Sequence, residues 1–249
     1  MYYYIFDPPR GAKEYERTAQ IKEYLSVLGI AGEMTTPQPG KRVEDLVNLA
    51  VNKRYSTVVA VGGMELINKV ARSLEPHDIV FGIIPSLEHL DINDLIGVHD
   101  WKSAAEQLKK RRWQEIRLGL LNNQSCFLTP ATISIPGSVS FQIKTPDFSL
   151  KGQGGTITIM PVRNQQKDNP GLNLRITPGS TSGSILQRLF KTDKQERQLT
   201  HIIVPSAEIE TDRTLAVVVA GTSLASTPVT CTTQEKVVKL IIARGSTHP

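Results

Sequence analysis

One stretch, Thr57 to Leu66 (TVVAVGGMEL), constrains the chain more than any other. Its small and β-branched residues describe a short strand buried on both faces, and Gly62-Gly63 ends that strand in a turn. The residues that follow, LINKVARSL, place Leu66, Val70 and Leu74 on one side of a helix. A strand, a glycine turn and a helix N-terminus form a natural cradle for phosphate, because unpaired N–H groups and the helix dipole both face an incoming anion.

The surrounding chain supplies the rest of an α/β sheet. Residues 2 to 6, YYYIF, read as a first strand, ended by the turn Asp7-Pro8-Pro9-Arg10-Gly11. Ala12 to Leu28 carries Ile21, Leu25 and Leu28 at helical spacing, with Gly29 as the stop. A short strand is expected at Glu33 to Thr36, and a helix at Arg42 to Val51 with Val43, Leu46, Val47 and Ala50 on one face. A further strand at Ile79 to Ile84 ends at Pro85, and an amphipathic helix from Lys102 to Arg112 runs into Trp113. Alternation of strand and helix predicts a mainly parallel sheet with crossover helices. Ligands of such sheets bind beyond the carboxyl ends of the strands, here Asp7 to Gly11, Gly62 to Leu66 and Pro85 to Asp91.

After Trp113 the texture changes to short alternating runs rich in Thr, Ser, Val and Ile: SVSFQIK, GTITIMPV, LNLRIT, HIIVP, LAVVVA, PVTCTT and KVVKLIIAR. These runs predict an antiparallel, sandwich-like domain with one helix at Ser182 to Phe190 and a frayed tail at Gly245 to Pro249. The expected fold class is therefore α/β: a three-layer α/β domain over residues 1–113, which the resemblance described below implies is nucleotide-kinase-like, followed by a β-rich sandwich-like domain over 114–249.

Composition narrows the function classes. No apolar run approaches the roughly 20 residues that cross a bilayer, and MYYYIFDPPRG lacks the basic region and cleavage site of a signal peptide, so a cytoplasmic location is expected. Cys126 and Cys231 are far apart and form no metal-type pair; free thiols are expected, and no metal site. The net charge of +5 is concentrated between residues 102 and 117, where six basic side chains face Glu106 and Glu115. Lys109, Lys110, Arg111 and Arg112 offer a peripheral contact to an anionic membrane; the alternative is a solvated helix end whose cations complement the dipole. No aromatic interleaving supports nucleic-acid binding. Trp113 reads either as an interfacial anchor or, preferably, as a hinge residue packed between the two domains.

With the elements in order, the chain over nearly its whole length resembles the diacylglycerol kinase catalytic family of lipid kinases, which shares its nucleotide-binding fold with NAD kinases and sphingosine kinases. Asp7, Pro8 and Gly11 stand where that family has an N-P-x-S-G turn. Gly62, Gly63, Met64, Glu65, Leu66, Ile67, Asn68, Lys69 and Val70 stand against its G-G-D-G-T loop and L-N-E-V. GIIPSLEHLDI, residues 82 to 92, stands against G-I-I-P-L-G-T-G-N-D-F. In the second half, GGTITIMPVRNQQKDNPGLNL is similar to G-G-G-M-x-I-x-P with its following D-G-L-L-D turn, and AVVVAGTSLASTPVT to V-x-x-D-G-E-P-L. The family's helical stretch early in the second domain is missing between Phe127 and Lys144.

The resemblance implies ATP and Mg²⁺ as cofactors and a lipid as phosphoryl acceptor, but the residues it implies for catalysis are substituted. The loop aspartate is Met64, which cannot bind a hard cation. The next glycine is Glu65, whose carboxylate repels phosphate and whose Cβ strains any φ > 0 conformation. Leu87, His89 and Leu90 fill the second loop, where only Asp91 survives, read as a helix N-cap. Pro170 replaces the aspartate of the second-domain turn, and Ala220-Gly221-Thr222 replaces D-G-E, removing the implied general base. Phosphoryl transfer depends on positioning and charge neutralisation, and each of those parts is altered.

Three functions follow as expectations. The first is a pseudokinase of this family that binds a nucleotide, lipid or partner in the interdomain cleft through Asp7, Gly11, Gly62, Gly63, Glu65, Asn68, Glu88 and Asp91. The second is an active ATP-dependent lipid or small-molecule kinase, a phosphotransferase rewired around Glu65, Glu88 and Asp91. The third is a structural or assembly protein, such as a homodimer formed through the strand edges of the β-rich domain.

Overall fold

A computed structural model describes residues 1–86, 90–162, 171–178 and 200–243. Contacts divide the chain into two units, residues 1–118 with 235–249, and residues 119–234. These bounds differ from the expected division at residue 113, because the last strand returns to the first unit.

The first unit carries a parallel sheet in the order β2–β1–β3–β4–β14. Its strands are β1 (Tyr2–Phe6), β2 (Glu33–Thr35), β3 (Thr57–Gly62), β4 (Val80–Pro85) and the second half of β14 (Val229–Ile241). Every residue of β1 and β3 is buried, as continuous apolar runs in a covered parallel sheet require. Two of the three tyrosines of β1 are tolerated because their hydroxyls reach carbonyls: Tyr4 donates to Ile30 O at 2.6 Å and Tyr2 to Leu108 O at 2.8 Å, whereas the buried Tyr3 hydroxyl has no hydrogen-bond partner among the described residues.

Helices α1 (Ala12–Val27), α2 (Val43–Asn52), α3 (Met64–Leu74), α4 (Leu90–Ile96) and α5 (Trp101–Lys110) link these strands. The expected helical faces are the buried ones, with Ile21 and Leu25 on α1, Val43, Leu46, Val47 and Ala50 on α2, and Leu66, Val70 and Leu74 on α3, whereas Leu28 is the half-buried C-cap of α1. Gly29 ends α1 at φ +69°, a conformation that suits a residue without Cβ. A capping box starts α5, where Ser103 N–H donates to Asp100 Oδ1 at 2.8 Å.

The second unit is antiparallel, with β7 (Ala131–Lys144), β8 (Ser149–Pro161), β9 (Leu172–Thr177), β10 (Thr200–Val204) and β11 (Ala207–Thr211) joined in the order β10–β9–β8–β7–β11–β14. The hairpin β12 (Ala216–Val219) and β13 (Thr222–Ser226) pairs with the start of β7, and β6 (Ser125–Phe127) pairs with β5 (Trp113–Leu121). The long β7–β8 ribbon bends where its register shifts between Ile135 and Ser140. There Gly154, at φ +64°, approaches so closely that a Cβ would lie 2.9 Å from Gly137 Cα. One apolar core gathers side chains from both sides of that bend, including Ile133, Phe141, Ile157, Leu174, Ile209 and Val219.

Several expectations change. PVTCTT and KVVKLIIAR form one strand, β14, that leaves the second unit and enters the first. Trp113 opens β5 at 44% exposure with the Lys239 ammonium 5.0 Å from its ring centre. Cys231 is buried, which pushes its thiol up to about 12, and half-buried Cys126 accepts a hydrogen bond from Gln234 Nε2 at 2.5 Å. Both tryptophans and all six tyrosines belong to the first unit. Among the described residues no helix is long and apolar enough to cross a membrane. The helix expected at Ser182 to Phe190 and the tail from Gly245 lie outside the described residues.

Candidate functional site

In the parallel sheet, β1 leads through α1 to β2 on one side, whereas β3 lies on its other side. At such a switch point the connections diverge and leave a crevice beyond the carboxyl ends of the strands. Asp7 follows β1 and donates its N–H to Val61 O at 2.9 Å; Ser86 follows β4 and donates its N–H to Gly62 O at 3.1 Å. The ends of β1, β3 and β4 are thus held side by side, with Gly62 between Asp7 and Ser86.

The Asp7 carboxylate occupies this corner. Its Oδ2 accepts the N–H of Gly63 at 2.6 Å, and Gly63 is the N-cap residue of α3. A Cβ on Gly62 would lie 2.2 Å from Asp7 Oδ2 and 2.6 Å from its Cγ, so the carboxylate rests directly on the Gly62 backbone. Gly63 has φ −85°, and neither glycine lies in the left-handed region. The turn expected from glycine flexibility is therefore an extended approach, and Gly62 is needed for space rather than for dihedral freedom. Burial raises the Asp7 carboxyl above the usual carboxylate range, against the Gly63 hydrogen bond that lowers it; Glu65 and Glu14 add to the rise and Arg10 opposes it.

The flanking charges are spent locally. Glu65 lies exposed in the first turn of α3 and pairs with Lys69 at 2.7 Å, which holds its carboxyl below the usual range. It does not have φ > 0, so the strain expected for a Cβ at this position is absent. Glu14 accepts the Arg10 N–H at 2.6 Å, tying down the turn between β1 and α1, and Gly11 caps α1 with nothing near its α-carbon that excludes a side chain. Met64 is the first residue of α3 and half-buried, and Asn68 is buried further along the same helix. Arg10, Glu14 and Lys69 were not among the expected site residues, although the i, i+4 spacing of Glu65 and Lys69 makes that pair legible.

The other expected residues lie on other elements or outside the described residues. Asp91 falls inside α4, not at a position preceding a helix. Glu88, His89 and Pro170 lie outside the described residues. Ala220 and Gly221 form the two-residue turn of the β12–β13 hairpin, at φ +51° and +82°, followed by exposed Thr222, all in the second unit. That unit also bears a groove of about 670 Å³ lined by Ser140, Phe141, Gln142, Lys151, Glu210 and Asp212, none of them an expected site residue. Among the described residues no group of three or more His, Cys, Asp or Glu side chains is placed to hold a metal ion.

Known proteins supply the frame for this geometry. No curated protein matches the sequence. The fold is similar to that of a diacylglycerol kinase from Bacillus anthracis str. Sterne (TM-score 0.67, 15% identity, 98% of this chain and 97% of that one). Another solved structure from that organism, of a protein provisionally assigned as a diacylglycerol kinase, gives a TM-score of 0.70 at 13% identity over 97% of each chain. Yeast NADH kinase, solved with NADH, gives 0.57 at 9% identity over 99% of this chain and 84% of that one. Sequence similarity to the diacylglycerol kinase catalytic domain extends over residues 2–121, which include β1, the Asp7 corner, the β3 glycines and α3. That segment, just under half of the chain, is what this protein shares with the diacylglycerol kinase catalytic domain family.

Proposed function

We propose that this protein is a member of the diacylglycerol kinase family that has lost phosphoryl transfer and uses the lipid-kinase fold for binding, with a nucleotide or lipid as the ligand class. The observation that carries the reading is the Asp7 contact: a carboxylate of the chain itself takes the Gly63 N–H, the first donor that a helix N-terminus would offer to a phosphate. An incoming triphosphate meets that carboxylate and, one turn away, the Glu65 carboxylate, where catalysis of phosphoryl transfer instead gathers cations and N–H donors. The residues of this corner do not fit a magnesium triphosphate: Met64 offers a thioether to a cation that prefers oxygen, and Asp7 is already hydrogen-bonded to backbone. Substitution of carboxylates by Ala220 and Thr222 supports the same reading.

The test is a purified-protein assay with Mg-ATP and diacylglycerol. Phosphatidic acid is expected to stay at the level of a blank without protein. Its formation at a rate that follows the protein through purification, and that falls in an Asp91→Ala variant, would establish the rewired phosphotransferase instead. Thermal stabilisation by ATP separates the readings further. A shift without Mg²⁺ is expected for a nucleotide-binding protein, a shift that requires Mg²⁺ for an active kinase, and no shift for a protein that binds a lipid or another ligand or serves an assembly role.

A further inference from the structure

Lys109, Lys110, Arg111, Arg112 and Trp113 are five consecutive exposed residues where α5 gives way to β5. The chain reverses there because Arg111 adopts the left-handed conformation, φ +50°, as the C-cap of α5. The Arg111 guanidinium does not face solvent freely. It donates to Ser56 Oγ at 3.1 Å and Thr57 Oγ1 at 3.2 Å and lies 5.7 Å from the centre of the Tyr2 ring.

Tyr2 and Thr57 begin β1 and β3, so this basic turn is fixed at the amino ends of the strands, opposite the ends that carry Asp7 and Gly62. Lys109, Lys110 and Arg112 make no ion pair among the described residues. The neighbouring acids are largely committed: Glu106 accepts the Tyr24 hydroxyl, Asp78 pairs with Lys239 and Glu75 with Lys236, leaving exposed Glu115. Trp113 is 44% exposed beside these cations, with the Lys239 ammonium against its ring. Arg112 is anchored from behind, since its carbonyl accepts the Ile242 N–H at 3.1 Å.

We infer that this turn is a docking surface for an anionic lipid bilayer, with Lys109, Lys110 and Arg112 supplying charge and Trp113 the interfacial side chain. Three unpaired cations on a rigid turn complement a sheet of anionic headgroups, and an indole at its edge suits the boundary between headgroups and acyl chains. A single aromatic without a groove does not suit a nucleic-acid strand. The surface lies at the other end of the sheet from the Asp7 corner, so it does not depend on whether that corner binds a nucleotide.

The experiment is co-sedimentation of the full chain with phosphatidylserine-containing vesicles and with phosphatidylcholine vesicles at about 100 mM salt. Binding to the anionic vesicles alone is expected. Replacing Lys109, Lys110 and Arg112 together by Ala should weaken it on the order of a hundredfold, roughly fivefold for each cation. Trp113→Ala should weaken it as well, and removing the exposed lysines Lys13, Lys41 and Lys151 should have a much smaller effect. Circular dichroism melts confirm that each variant is folded. Equal loss in the Lys13, Lys41, Lys151 variant, equal binding to neutral vesicles, or absence of vesicle binding would overturn the inference. Tight single-stranded RNA binding that the Lys109 triple variant abolishes, with vesicle binding unchanged, would overturn it too.

Discussion

Asp7 is held between opposing influences. Burial disfavours its charge, while the Gly63 N–H and Arg10 favour it, and the raised carboxyl shows that burial prevails. In the pH range between the ordinary and the raised value, the folded chain binds more protons than the unfolded one. The associated stability is present at acid pH and is lost as pH rises through the raised value. Asp7→Asn keeps an oxygen for Gly63 and has no proton to lose. Relative to wild type, this variant should therefore gain stability as pH rises from the usual carboxylate range through the raised value of Asp7, read from urea unfolding midpoints. Parallel pH profiles would show that Asp7 is not the titrating group.

Gly62 gives a second prediction at the same corner. Gly62→Ala places a methyl group against Asp7 and should cost about 1–3 kcal/mol. In an Asp7→Ala background the obstructing atoms are gone, so the same change should cost much less; strict additivity in a double-mutant cycle would contradict this geometry. The glycine pair was legible in the sequence, but its reason was not. A glycine needed for dihedral freedom and one needed for the space of a side chain 55 positions away look identical until the strands are paired.

Among the elements, the turn at Ala220-Gly221 shows what the backbone asks of a two-residue hairpin. Both residues have φ > 0, as a two-residue hairpin with the twist of its strands requires. Asp-Gly serves such a turn well, whereas Ala-Gly serves it at a cost. Ala220→Asn should add about 1 kcal/mol, seen as a rise of about 2–4 °C in Tm. An unchanged or lower Tm would show that the left-handed conformation of Ala220 is not limiting.

The expected helices α1 to α3 and strands β1, β3 and β4 were legible because their apolar periodicity is long and their stops are glycine or proline. β11 is hard to read from the sequence because a run of five residues with two buried positions carries little periodic signal, and β13 because none of its five residues is fully buried. β14 was divided in two because its middle, Gln234 to Lys236, is polar and incompletely buried, which imitates a turn.

For the molecule as a whole, the second half of β14 decides where the units end. Val238, Leu240, Ile241 and Ile242 are at most 3% exposed, and Lys239 and Leu240 pair with Val80 and Phe81 of β4. Each such side chain contributes about 1.5–3 kcal/mol by leaving water, so the four together rival the roughly 5–15 kcal/mol stability of an entire domain. A chain ending at Gln234 should therefore leave the first unit unfolded; recovery of soluble protein with native circular dichroism would contradict this. A boundary placed by texture alone cannot reveal this return, because the partner strand is about 160 positions earlier in the chain.

Because every tyrosine and tryptophan falls in the first unit, ultraviolet absorption and intrinsic emission above about 280 nm report on that half of the chain alone, whereas amide signals report on both. The protein thus carries its own selective optical label. Since one continuous strand serves both sheets, the emission and amide melting curves should share a midpoint, and a separation between them would measure, without any added dye, how independently the halves come apart.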